Sequence, residues 1–165
     1  MAIEGSLVNP EVLQSLYGHV PALDRVRVRS INLNRCGPTV TLRVDLPSFP
    51  DLAPPEWLDA GTDTVQCQFQ FLAATDITLT AWSPPALAGL RMRSLGRERR
   101  MRVSVHGRGI DCGFECGECV TAGHVSAFKA GANGSDSGEH FFVGKVDARL
   151  HTSLPATDEK TFYER

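Results

Sequence analysis

From residue 24 to residue 116 the chain repeats one pattern, an apolar residue at every second position, broken at intervals by glycine or proline. Val65, Cys67, Phe69 and Phe71 alternate with Gln66, Gln68 and Gln70. Successive side chains of an extended strand point to opposite faces, so a run of this kind buries one face and wets the other only as a β-strand. Val40, Leu42, Val44 and Leu46 repeat it against Thr39, Thr41, Arg43 and Asp45. So do Ile77, Leu79 and Ala81; Leu90 and Met92; Met101, Val103 and Val105; and Ile110, Cys112, Phe114 and Cys116. Val26 and Val28 open a further run whose phase slips to Ile31 and Leu33. Either a bulge near Ser30 or a strand apolar on both faces explains that slip. Cys36-Gly37-Pro38, Ala74–Asp76, Ser83-Pro84-Pro85, Gly96-Arg97-Glu98 and Gly107-Arg108-Gly109 supply the turns. About seven short strands of this kind predict an antiparallel meander.

One helix precedes them. Asn9 is a natural N-cap, Pro10 suits the first helical position, and Glu11 complements the positive end of the helix dipole. Val12, Leu13, Leu16 and Tyr17 then form an apolar stripe that ends at Gly18. The fold class is therefore α+β and β-rich. Residues 129–139, KAGANGSDSGE, read as a flexible Gly/Ser-rich linker, with one further strand over 141–146 and a polar end. This divides the chain into a β-rich domain over 1–128 and a linker and tail over 129–165.

Composition narrows the function classes. At 42% hydrophobic residues the chain carries enough apolar surface to fold, and its formal charge of −2 lacks the basic excess of a dedicated nucleic-acid binder. No apolar run reaches the length of a membrane-spanning helix, and the first residues, MAIEGSLVNPEVLQ, lack the basic and apolar regions of a signal peptide. A cytoplasmic protein is the expectation.

Four groups of residues invite a chemical reading. Cys112, Cys116 and Cys119, with His124 nearby, have the soft ligands of a zinc site. Only one C-x2-C pair is present, however, and the alternation places Cys112 and Cys116 on the apolar face with Ile110 and Phe114. Buried free cysteine behaves as a small hydrophobe, so no metal and no cofactor are expected. Cys119 with His124 is the one pairing that suggests a small enzyme, yet no nucleophile elbow or paired carboxylates accompany it. The hairpin over 91–102 carries six arginines and suggests a nucleic-acid-binding sheet, but its outward positions offer no aromatic platform for bases. The proline-rich connection over 47–61 sets Phe49 and Trp57 among Asp51, Glu56 and Asp59. The two rings either cap the open end of the core or serve as anchors with an acidic rim, as at protein interfaces.

Several strand-and-turn signatures point to a family. Leu16-Tyr17-Gly18, Val20-Pro21-x-Leu23 and Gly37-Pro38-x-Val40-x-Leu42-Arg43-x-Asp45-Leu46-Pro47 come first. Pro54-Pro55-x-Trp57, Asp63-Thr64-Val65-Gln66, the strand ending at Trp82 and Val125-Ser126-Ala127-Phe128 follow. Over residues 9–128 the chain resembles the Immunity protein 50 family of bacterial polymorphic toxin systems. The resemblance implies a non-enzymatic antidote in the bacterial cytosol that binds a cognate toxin domain and neutralises it. It carries over no toxin-contacting residue. Phe49, Asp51, Glu56, Trp57 and Asp59 therefore stand as partner-binding candidates on their chemistry alone. The 112/116/119 cysteines and the tail after Phe128 lie outside the family's pattern.

Overall fold

The computed structural model describes residues 2–150. A 3-10 turn over Ile3–Ser6 leads into helix α1, Glu11–Tyr17, whose Leu13 and Leu16 are buried. Asn9 does not cap this helix. Its side-chain amide donates to the Ala122 carbonyl at 2.7 Å and accepts from the Ala122 N–H at 3.0 Å, which pins the N-terminal segment to a strand 113 residues away. Strands β1, Val26–Asn34, and β2, Thr39–Asp45, follow as an antiparallel hairpin, with a register shift between Val28 and Ser30. That shift is a bulge, the first of the two explanations for the change of phase.

Helix α2, Pro55–Asp59, interrupts the proline-rich connection before β3, Thr64–Leu72. Then come β4 (Thr75–Trp82), β5 (Ala86–Ser94), β6 (Arg100–Gly107), β7 (Ile110–Gly117), β8 (Val120–Phe128), β9 (Phe141–Phe142) and helix α3 (Lys145–Leu150). The described residues thus hold nine strands, more than the seven expected, in the order β4-β7-β6-β5-β1-β2-β3-β8-β9 with every neighbouring pair antiparallel. The simple meander is corrected as well. β4 leaves β3 and joins the far side of β7, while β8 returns to β3. Strand β8, VTAGHVSAF, hides its period because its small residues weaken the contrast and a register shift falls beside it, with His124 at φ 49°. In place of a strand over 141–146 the structure has the two-residue β9 and the start of α3.

The sheet curls onto itself. Phe71 of β3 and Phe114 of β7 are five strand steps apart in the sheet, roughly 24 Å if it were flat. Their ring centroids are nevertheless 5.2 Å apart, edge to face. The bend falls between β5 and β1, which share only three residue pairs, Val26–Val28 against Ala86–Ala88. One core then fills the space between the two halves. Val44, Phe69, Val103 and Phe114 are all 0% exposed. Each such side chain contributes about 1.5–3 kcal/mol of burial free energy.

The outer face of β2, β3 and β8 is polar, bearing Arg43, Asp45, Gln66, Gln68, Gln70 and Ser126. Residues 130–144, which include most of the stretch read as a linker, lie against one end of it. Arg29 is central there. Its guanidinium donates twice to Asp45 Oδ2, at 3.0 and 2.6 Å, and once to the Gly134 carbonyl at 2.7 Å. The Gln66 amide donates to Asp45 Oδ1 at 2.7 Å and to Asp136 Oδ2 at 3.0 Å, and Arg43 reaches Asp136 at 3.4 Å. His140 bonds to Ser126 at 2.8 Å and stacks on Phe128 at 4.8 Å. Buried charges need partners of this kind to offset desolvation.

Candidate functional site

The connection over 47–61 is held rigidly from two sides. The Leu52 N–H donates to the Leu16 carbonyl at 3.0 Å and the Tyr17 hydroxyl donates to Ser48 O at 2.7 Å, tying it to α1. Pro55 starts α2 at the position where proline is pre-organised for a helix. The single turn then sends Trp57 inward, and both the N–H and the hydroxyl of Thr62 close onto the Trp57 carbonyl at 3.2 and 3.0 Å. Downstream, the Ala130 N–H donates to Asp63 Oδ1 at 2.9 Å, and this bond holds the Asp63 carboxyl below its ordinary pKa.

Of the five partner-binding candidates, the structure leaves three on the surface. Asp51, Glu56 and Asp59 are exposed, and Phe49 is half-buried against the core. Trp57 is 1% exposed and offers no surface to a partner, which corrects its reading as an anchor. Its ring closes the end of the core because burying so large an apolar area outweighs presenting it to water. The apolar groups that do face outward beside the acids are Leu52 and Leu58, 58% and 60% exposed. The sequence held a signal for them. Adjacent residues of a helix project about 100° apart, so with Trp57 turned inward the next position, Leu58, is free to face solvent.

The cysteines and histidine do not assemble. Cys112 and Cys116 point into the core, and burial raises both thiol pKa values, Cys116 to about 11. Cys119 is exposed in the β7–β8 turn. His124 lies farther along β8, five residues from Cys119, which is roughly 16 Å of extended chain. Its Nδ1 is 3.0 Å from Asp147 Oδ1, and both side chains are buried. Among the described residues no group of three or more His, Cys, Asp or Glu is arranged to hold a metal ion.

A cleft of about 510 Å³ lies over the outer sheet face between the N-terminal segment and α3. Thr41, Gln70 and Thr121 are cross-strand neighbours on its floor, and Val12 and Val143 contribute apolar walls. The arrangement provides hydrogen bonding and apolar contact, and no serine or cysteine lines it. The arginine hairpin is a fourth surface. Arg91 and Arg93 are exposed on β5, and Arg100 and Arg102 half-buried on β6.

These features define a β-rich α+β domain, a curled antiparallel sheet whose polar chemistry lies on a rigid loop and on its outer faces. The chain belongs to the Immunity protein 50 family, whose sequence model matches residues 9–120, from α1 through β7 to the first residue of β8. No curated protein and no solved structure matches it.

Proposed function

We propose that the protein is an immunity protein that binds and neutralises a cognate toxin of a bacterial polymorphic toxin system, in the cytosol, by protein–protein contact and without catalysis. The observation that carries this reading is the family match over residues 9–120. The site geometry agrees with it. His124 is engaged by Asp147 and stands far along β8 from Cys119, so the residues proposed for an enzyme do not form a nucleophile–base pair.

The acidic loop is the proposed contact. Asp51, Glu56 and Asp59 are exposed in the same segment as the exposed Leu52 and Leu58, on a backbone tied to α1, and Phe49 packs against the core. A rigid segment loses little conformational entropy on binding, and apolar groups rimmed by charge are the ordinary anatomy of an interface. Co-purification with the toxin domain encoded beside its gene tests the contact. The variant Asp51→Lys/Glu56→Lys/Asp59→Lys is expected to bind about tenfold more weakly, chiefly through slower association, with an unchanged melting temperature. Equal binding by the variant contradicts the assignment.

A further inference from the structure

The β5–β6 hairpin carries a concentrated charge that the acidic-loop contact does not use. Residues 91–102 hold six arginines, Arg91, Arg93, Arg97, Arg99, Arg100 and Arg102, against one carboxylate, Glu98, in a chain of net charge −2. Their direction follows from the alternation. Leu90, Met92, Met101 and Val103 are buried, so the arginines between them project from the outer face. The register sets Arg93 directly opposite Arg102 and Arg91 opposite Ser104. Like charges directly across a strand pair destabilise it, so the Arg93–Arg102 pairing itself works against the fold.

The neighbouring carboxylates are turned to other partners. Glu118 accepts from the Ser94 hydroxyl at 2.6 Å, and Asp111 from Thr80 at 3.0 Å. Arg100 donates to the Ala73 carbonyl at 2.9 Å and to the Thr75 hydroxyl at 2.7 Å, both uncharged acceptors. Glu115 lies opposite Arg102 on β7, yet among the described residues none of the six arginines forms an ion pair. Gly113 makes room for one of them. A Cβ there would stand 2.9 Å from an Arg102 guanidinium nitrogen, and the same guanidinium reaches over β7 to donate to the Asp76 carbonyl at 3.5 Å.

We propose that this outer face docks an acidic surface of the toxin, with Arg91, Arg93 and Arg102 pairing with its carboxylates. The inference rests on the immunity reading and deepens it by naming the chemistry of the partner. Guanidinium groups fit carboxylates and phosphates alike through their planar fork. Three observations favour a protein over nucleic acid. The face has Arg, Ser104, Gly113 and Thr78 and, apart from the single imidazole of His106, no ring for a base to stack on. The chain as a whole, at a formal charge of −2, lacks the basic excess of a dedicated nucleic-acid binder. The family implies a protein partner.

The test measures toxin affinity at about 50 and about 300 mM salt for the wild type and for Arg91→Gln/Arg93→Gln/Arg102→Gln. The variant is expected to bind about tenfold more weakly at low salt and to show a shallower salt dependence than wild type, with a melting temperature close to wild type. Arg93→Gln alone, a smaller change, is expected to show the same trend, which keeps the test valid should the triple variant fold poorly. Variant affinity and salt dependence equal to wild type overturn the inference while leaving the immunity reading intact. A wild type that does not bind the toxin overturns both. Loss of binding to a short DNA duplex with toxin affinity unchanged assigns the face to nucleic acid and overturns the inference.

Discussion

Asp136 shows how one residue of a Gly/Ser-rich stretch becomes part of the fold. Burial pushes its pKa up, but the Gln66 amide and the guanidinium groups of Arg43 and Arg29 outweigh burial and hold the carboxyl below its ordinary value. A lowered folded-state pKa means stability that is present above the ordinary carboxylate value, about 3.9, and lost as pH falls through the folded one. Asp136→Asn is therefore expected to cost about 1 kcal/mol at neutral pH, the partial exposure of the group keeping the figure small. The difference from wild type should disappear in urea unfolding carried out well below pH 3.9, about the unfolded value. A gap that persists in acid contradicts the ionic account. Trp57 and Leu58 give a second contrast at this scale. Trp57→Ala is expected to destabilise the fold by about 3–5 kcal/mol, and Leu58→Ala to stay within about 0.5 kcal/mol of wild type. The sequence left both roles open to Trp57, because an aromatic beside carboxylates looks the same in a core lid and in an anchor. Only the packing of α2 separates them.

At the scale of elements, the paired strands were legible wherever polar and apolar residues alternate strongly, as in β2, β3, β6 and β7. Period failed where side chains are small. β8 carries Ala122, Gly123, Ser126 and Ala127, and a strand of small residues has little apolar contrast to display. Order in the sheet was less legible still. The two-residue link between β3 and β4 reads as a hairpin, and nothing local reports that the curl has brought β7 alongside. Register can be tested at Gly107, which sits opposite Ala88 and beside Ile110. A Cβ there would stand 2.1 Å from the Leu87 carbonyl oxygen and 2.8 Å from the Ala88 Cα. Since both are backbone atoms, Gly107→Ala is expected to destabilise the sheet by about 2–4 kcal/mol in denaturant unfolding, whereas a neutral effect contradicts this pairing. The cysteines offer a second check. Cys36 and Cys119 are exposed while Cys67, Cys112 and Cys116 are buried with raised thiol pKa values. A thiol reagent is expected to label the first two in the native protein and the other three only on unfolding. Rapid native labelling of Cys112 or Cys116 contradicts their place in the core.

For the whole molecule, near-neutral net charge conceals two surfaces of opposite sign, the acids of the 47–61 connection and the arginines of the 91–102 hairpin. The sum over a chain reports solubility and long-range steering. Where charges face a partner decides specificity. The arginines were visible in the sequence as a hairpin, but their lack of carboxylate partners was not, because ion pairing depends on which strands become neighbours. The buried Arg29–Asp45–Gln66–Asp136 network was equally invisible, since its members come from β1, β2, β3 and the segment after β8. We propose that this domain neutralises a toxin by binding it. The most direct measurement is growth of cells expressing the toxin domain encoded beside its gene, with and without this protein, followed by co-purification of the two chains. Restored growth and a stable complex are the expected result. No rescue together with no co-purification would contradict the proposal.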